Sequence, residues 1–413
     1  MSVEVDREVD SPTPIPPSPS RRERVKTRRE RKKAPRSRKY RLIRSGCIAA
    51  IAILVAVPAW SLGRVMLADN TDPLGVRVVE WARDHHLSGI VNRIENFWYT
   101  HNQPPRGGTP KGGIPNTPAP VASAVKHAPT AAAPTTPLQD KPPANIVPFP
   151  STPLPGEGVF RPAGREVNGT PVAWATYLRP DAVHTSELIG VLHFDMRHLT
   201  ATLHAGTDIP GGGPWQHGSR IAPADYARVV GAFNSGFKLN GSHGGYYAEG
   251  RTVAPLVNDR ASFVTYRDGH ADVALWGRDA TMTPDVTSVR QNLVLLVDHG
   301  QLAPDLNSSY QWGATVGSAV YVWRSAVCVD GHGDLVYTAG PALNVMTLAE
   351  VMQRAGCVRA MELDINSWWV SLMTYTPDGH GGVTPWKLLS SMVRSPNRYL
   401  VEGTRDFFEI DAR

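Results

Sequence analysis

The stretch "ASFVTYRDGHADVALWG", residues 261–277, reads as a β-hairpin from its local chemistry. Two runs rich in β-branched and aromatic residues flank Asp268-Gly269, a dipeptide suited to a tight hairpin turn. Outward from it the pattern repeats. "NLVLLVDHGQL" (292–302) turns at His299-Gly300, and "SAVYVWRSAVCVDGHGDLVYTAG" (318–340) turns around Gly331-His332-Gly333. "AWATYLR" (173–179) and "IGVLHFDMRHLTATLHA" (189–205) alternate or run apolar like strands. "APADYARVVGAFN" (222–234) begins as a helix and passes into a strand. "NVMTLAEVMQRAGCV" (344–358) is a predicted helix with Thr347 as N-cap and Gly356 as C-cap. Many hairpins with two helices interposed predict an α+β domain over 156–413, with a largely antiparallel or mixed sheet and flanking helices.

The N-terminal part of the 413-residue chain has a different texture. Its net charge of +6 arises in Arg21–Arg44, which holds 14 Lys or Arg against two Glu, while the rest carries 29 basic against 35 acidic residues. Residues 1–44 lack hydrophobic periodicity and are expected to be disordered. Ser45–Gly63 follows with 19 uncharged residues, enough to cross a bilayer as a helix. The basic flank keeps such a tail cytoplasmic and sends the remainder outside. A single-pass signal anchor over 45–67 is therefore expected, with the tail on anionic membrane lipid rather than on nucleic acid. Residues 74–100 show helical apolar spacing at Leu87, Ile90, Val91, Ile94, Phe97 and Trp98, which predicts a juxtamembrane amphipathic helix able to hold an envelope protein partner. Residues 103–155 form an expected linker, with 15 prolines between Pro104 and Pro155.

Three places are too polar or too rich in glycine for plain architecture. "GAFNSGFKLNGSHGGYYAEG" (231–250) breaks an apolar run into Asn234, Ser235 and Gly236. Its glycines permit close backbone approach to a ligand, and Asn234, Lys238, Asn240 and His243 offer donors. A glycine-rich loop without a ligand has the same composition. Arg324 interrupts "YVWRSAVCV" (321–329), where a guanidinium needs a carboxylate or phosphate to answer it. "MELDINSWW" (361–369) places Glu362 and Asp364 on one strand face, their Cα atoms about 6.6 Å apart, a site wall or a solvated edge. Trp368 and Trp369 offer flat faces for a sugar ring or for packing. Cys328 and Cys357, in the exported part, can pair or remain thiols. His193 and His198 fall on opposite faces of a strand, so no metal site is expected there. No cofactor is expected either, with Ca²⁺ near Asp364 left open. The sequence contains no nucleophile elbow, paired CxxC, HExxH or Walker loop.

In their order and spacing, Asn234-Ser-Gly-Phe237, Arg324-Ser-Ala326, the helix from Thr347 to Gly356 and Leu363-Asp364 resemble the phosphodiester glycosidase family across roughly residues 185–375. The family's Gly-Gly-Gly-Ser is replaced by Ile365-Asn366-Ser367-Trp368, and the Asn usual two positions before the Asp is Glu362. The resemblance implies catalytic roles for Asp364, Glu362 and Arg324. It implies substrate contacts at Asn234, Gly236, Lys238, Asn240, His243, Asn366, Ser367 and Trp368. The expected function is a membrane-anchored, extracytoplasmic hydrolase of sugar-phosphodiester linkages in envelope glycans or polymers. A glycan-binding module that has lost catalysis, or a tethered envelope scaffold, is the alternative.

Overall fold

A computed structural model describes residues 38–67, 73–116, 121–122, 142–307, 312 and 321–413. The tail through residue 37 and linker residues 117–120 and 123–141 lie outside these. Two compact units divide the chain at Leu67. In the first, Arg38–Leu67 is one helix that continues through Pro58. Its segment Leu42–Leu67 is long and apolar enough to cross a membrane.

The second unit is α+β, and its centre is an eight-stranded sheet. Across this sheet the strands run 301–302, 295–298, 357–362, 322–330, 335–343, 189–194, 173–178 and 161–162. Each neighbouring pair is antiparallel. All three hairpins form at the expected turns. Strand alternation sorts the central residues onto two faces. Val327, Val329, Tyr337, Ala339, Met361 and Leu363 join one apolar cluster. Ala326, Cys328, Val336 and Ala360 join another, under Leu348, Val351 and Met352 of the Val345–Arg354 helix.

The first face packs on two five-stranded sheets. One orders 383–387, 372–377, 229–234, 407–412 and 199–204; the other orders 251–254, 246–248, 286–291, 261–266 and 271–275. Phe408 joins the layers, its ring 5.5 Å from Phe233 and 4.1 Å from Phe263. Phe233 in turn lies 5.3 Å from Tyr337.

Four local expectations are corrected. The helix cap is Asn344, whose side chain accepts from the Thr347 N–H, so the helix begins two residues before Thr347. The expected helix within 222–234 shrinks to one 3₁₀ turn, Pro223–Asp225, before strand Val229–Asn234. The juxtamembrane segment is two helices, Leu74–Asp84 and Ser88–His101, broken where His86 takes a φ of 63°. The end of the proline-rich stretch also lies against the sheet. Ile146 is buried and its N–H donates to the Gly158 carbonyl.

A disulfide joins Cys328 and Cys357, their Cα atoms 5.7 Å apart. The compact domain holds both cysteines on adjacent strands of the eight-stranded sheet.

Candidate functional site

The strand ending at Glu362 delivers its two acids to two different arginines. Glu362 is wholly buried and accepts from Arg324 Nη1 at 2.6 Å, an ion pair fixed between neighbouring strands. Arg324 spends its Nε on the Leu343 carbonyl. Burial pushes the Glu362 carboxyl up, with Arg324 opposing, and its Oε2 has no partner. Asp364 lies just past the strand, also buried. Its Oδ2 accepts from Arg405 Nη2 at 3.0 Å and its Oδ1 from the Asn366 N–H at 2.9 Å. Burial raises its proton affinity, against Arg405 and Asn366, and the negative charge of Glu80 adds to the rise. The pair is thus neither an open acidic face nor a solvated edge: each carboxylate is enclosed with its own cation.

The three sequence segments do converge. Asn234 Nδ2 donates to Ser325 Oγ at 3.1 Å, and Ser325 Oγ donates to the Asp364 carbonyl at 2.9 Å. Asn234 is a junction rather than a free donor. Its Oδ1 accepts from Tyr337 Oη and from the Ser371 N–H, and its Nδ2 also donates to the Ser235 carbonyl. Gly236 serves through its carbonyl, which accepts from Arg405 Nη2 at 3.1 Å. A Cβ there would lie 2.7 Å from Asn292 Cγ, so only glycine fits.

Lys238 belongs to a different contact. Its Nζ pairs with Glu80, and with Asp84 at 3.1 Å, both on the Leu74–Asp84 helix. These ion pairs tie that helix to the glycine-rich segment. Asn240 and His243 are exposed, His243 with a left-handed φ of 51° at the end of a four-residue helix. Asn366, Ser367 and Trp368 are half-buried in the turn after Asp364, where Asn366 Oδ1 accepts from the Trp368 N–H.

Sequence reading missed the arginines that complete the site. Trp369 is buried, and the guanidinium carbons of Arg394, Arg398 and Arg405 lie 5.2, 5.3 and 4.8 Å from its ring centroid. These four residues, with Ser219, Tyr399 and Gly403, line a small, partly open pocket. Two buried donors there have no partner: Trp369 Nε1 and Arg405 Nε. Arg398 is anchored by donating to the Trp369 carbonyl and Ser371 Oγ, both at 2.6 Å. The available signal was chemical: two buried acids next to apolar strands demand cations, and the final 20 residues carry three arginines besides the terminal one.

No protein-family model matches the sequence, and no curated protein is detectably similar to it. Among solved structures, the zebrafish N-acetylglucosamine-1-phosphodiester alpha-N-acetylglucosaminidase catalytic domain, auto-inhibited by its pro-peptide, overlaps at 15% identity. That overlap has a TM-score of 0.36 and covers 62% of this chain and 87% of that one. A hypothetical protein from Synechocystis overlaps at 13% identity with a TM-score of 0.33, covering 61% of this chain and 64% of that one. Overlaps of this size assign the chain to no family.

Proposed function

We propose that this chain is a membrane-anchored, extracytoplasmic hydrolase of sugar-phosphodiester linkages, holding the phosphate at the arginine pocket beside Asp364. The observation that carries the reading is the pair of unpartnered buried donors, Trp369 Nε1 and Arg405 Nε, in a pocket flanked by Arg394 and Arg398. Buried donors lacking partners are rare, and a ligand oxygen satisfies them. Arginine suits phosphate because its planar fork presents two parallel donors. In this reading one phosphate oxygen enters the pocket, with the sugar lying outside it toward Asp364.

In this reading the bond between the anomeric carbon and the phosphate oxygen breaks. Its electron pair passes to that oxygen, whose charge the arginines neutralise. The oxygen of a water molecule bonds to the anomeric carbon, and Asp364 takes the proton. A general base works best with a pKa near the operating pH, and burial moves Asp364 in that direction. Glu362, enclosed with Arg324, supports the strand and does not reach substrate.

A second reading, a glycan-binding module without turnover, is favoured by the enclosure of both carboxylates and by the half-buried Ser367 and Trp368. One experiment separates the two. The full chain in detergent is given an N-acetylhexosamine-1-phosphodiester, and released sugar and binding are followed together. Release that falls about 10²- to 10⁴-fold in Asp364→Asn supports hydrolysis. Binding without release, weakened by Arg398→Ala, supports the module. Neither binding nor release removes both readings.

A further inference from the structure

At the far end of the strand that carries Arg324, three side chains of metal-binding type meet. His193 lies near the end of strand Ile189–Phe194, and Asp330 and Asp334 bracket the turn of the hairpin formed by Val322–Asp330 and Leu335–Leu343. His193 Nε2 is 3.4 Å from Asp330 Oδ2 and 3.7 Å from Asp334 Oδ2. One ligand atom from each of the three falls within 4.8 Å of the others. Asp330 is six positions from Arg324, about 20 Å along the strand, so this cluster is separate from the site around Asp364.

The carboxylates are oriented for a shared occupant. Asp330 Oδ1 accepts from the His332 and Asp334 N–H groups at 2.7 and 3.0 Å. Asp334 Oδ1 accepts from the Met196 N–H at 2.9 Å. Backbone donors thus hold one oxygen of each acid and leave each Oδ2 facing the imidazole. The imidazole supplies a second, independent observation. His193 is 7% exposed, its Nδ1 has no partner, and its Nε2 has no acceptor nearer than 3.4 Å. Neither nitrogen of this buried ring has a partner at ordinary hydrogen-bond length, which is about 2.7–3.2 Å. The rings of Phe160 and Trp174, 6.4 and 6.0 Å away, hold its plane edge-on, with Nε2 aimed between the carboxylates.

We propose that His193, Asp330 and Asp334 form a binding site for a divalent transition-metal ion of the Zn²⁺ class. An ion with ligand bonds of about 2.0–2.1 Å in tetrahedral geometry separates its ligand atoms by about 3.4 Å, close to the spacings His193 makes to both acids. One imidazole and two carboxylates suit Zn²⁺ or Mn²⁺, whereas Ca²⁺ collects six to eight oxygens. The fourth position is left to water. Bound there, the ion fastens the 331–334 turn to the neighbouring strand, with the Met196 N–H as outer support for Asp334. The rival occupant of the gap is a proton on His193, making an imidazolium shared by two acids.

The test uses the full chain in detergent, stripped with chelator and titrated with Zn²⁺, Mn²⁺ and Ca²⁺ separately. One Zn²⁺ per chain is expected, with a higher melting temperature and little response to Ca²⁺. His193→Gln and Asp334→Asn should each weaken Zn²⁺ binding at least 100-fold, while His198→Gln leaves it unchanged. Co²⁺ loading reads the site without mutation, because four-coordinate Co²⁺ shows visible bands that Zn²⁺ then displaces. Absence of stoichiometric Zn²⁺ and Co²⁺ binding, or unchanged binding in His193→Gln, overturns the proposal and leaves the proton as occupant.

Discussion

Arg405 touches Asp364 and Gly236 with the same nitrogen: Nη2 donates to the aspartate Oδ2 at 3.0 Å and to the Gly236 carbonyl at 3.1 Å. The glycine-rich segment and the acid that follows the central strand are therefore tied by one guanidinium, whose Nε is buried without a partner. An anion arriving at Arg405 competes with Asp364 for positive charge. As Arg405's hold on Asp364 weakens, the carboxyl becomes a stronger base.

Arg405→Lys tests that coupling. Lysine keeps the charge but loses the fork, so it cannot hold Asp364, Gly236 and a ligand together. Binding of a sugar phosphate should weaken about tenfold or more, roughly one bidentate contact's worth. The matching change Arg251→Lys, on a half-buried arginine stacked on Trp215 away from the pocket, should not alter it. Equal effects at both positions would mean that binding follows general surface charge, not the pocket.

The Glu362–Arg324 pair should behave as structure. Glu362→Leu strands a buried guanidinium and is expected to cost about 3–5 kcal/mol in denaturant unfolding. Adding Arg324→Met removes the stranded charge and should recover most of that loss, because an apolar pair can replace a buried ion pair at little cost. A double variant no more stable than the single one would show that Arg324 has a second anionic partner.

A third prediction concerns pH. Burial raises the Asp411 and Glu409 carboxyls to about 8 and about 7, and holds His204, whose Nε2 is 2.5 Å from Glu409 Oε2, down to about 4. Between about pH 4 and 8 the folded domain thus keeps protons on these acids that the unfolded chain releases. Their contribution to stability is full below about pH 4 and is lost as pH rises through 7 and 8. Asp411→Asn mimics the protonated form. It should be nearly neutral at pH 5 and stabilising by about 1 kcal/mol or more at pH 9. Urea melts at both values check this, and an equal effect at both would refute it.

The disulfide gives a fourth. Cys328 and Cys357 are 29 residues apart in sequence, and closing such a loop lowers the entropy of the unfolded chain by about 3.6 kcal/mol at 25 °C. Replacing both by alanine should therefore cost at least about 3 kcal/mol in equilibrium unfolding. A loss below about 1 kcal/mol would mean that the unfolded chain is already compact around this hairpin.

Turn chemistry made the hairpins legible, because Asp268-Gly269 and Gly331–Gly333 act within a few residues of themselves. Alternation likewise placed Met361 and Leu363 on a buried face, yet it could not say that the opposite face, with Glu362, is buried too. That depends on Arg324 in the neighbouring strand. Arg405, 41 residues beyond Asp364, and Asp330, 137 residues beyond His193, are long-range partners for which no local period exists. The helix cap was misplaced because Thr347 and Asn344 are both good caps, and only the chain's direction out of the preceding strand selects Asn344.

The Arg324–Glu362 pair and the Cys328–Cys357 bond stand toward opposite ends of the contact between strands 322–330 and 357–362. Apolar antiparallel strands distinguish poorly between one alignment and another displaced by two residues, since each side chain keeps its face. Here the two ends judge the alignment by unrelated criteria, covalent reach at one and charge at the other. A chain displaced by two so that Cys328 faced Glu362 would separate its thiols and bury a guanidinium and a carboxylate apart. The native alignment satisfies both at once, so slippage in that direction costs the strand pair a covalent bond and an ion pair together.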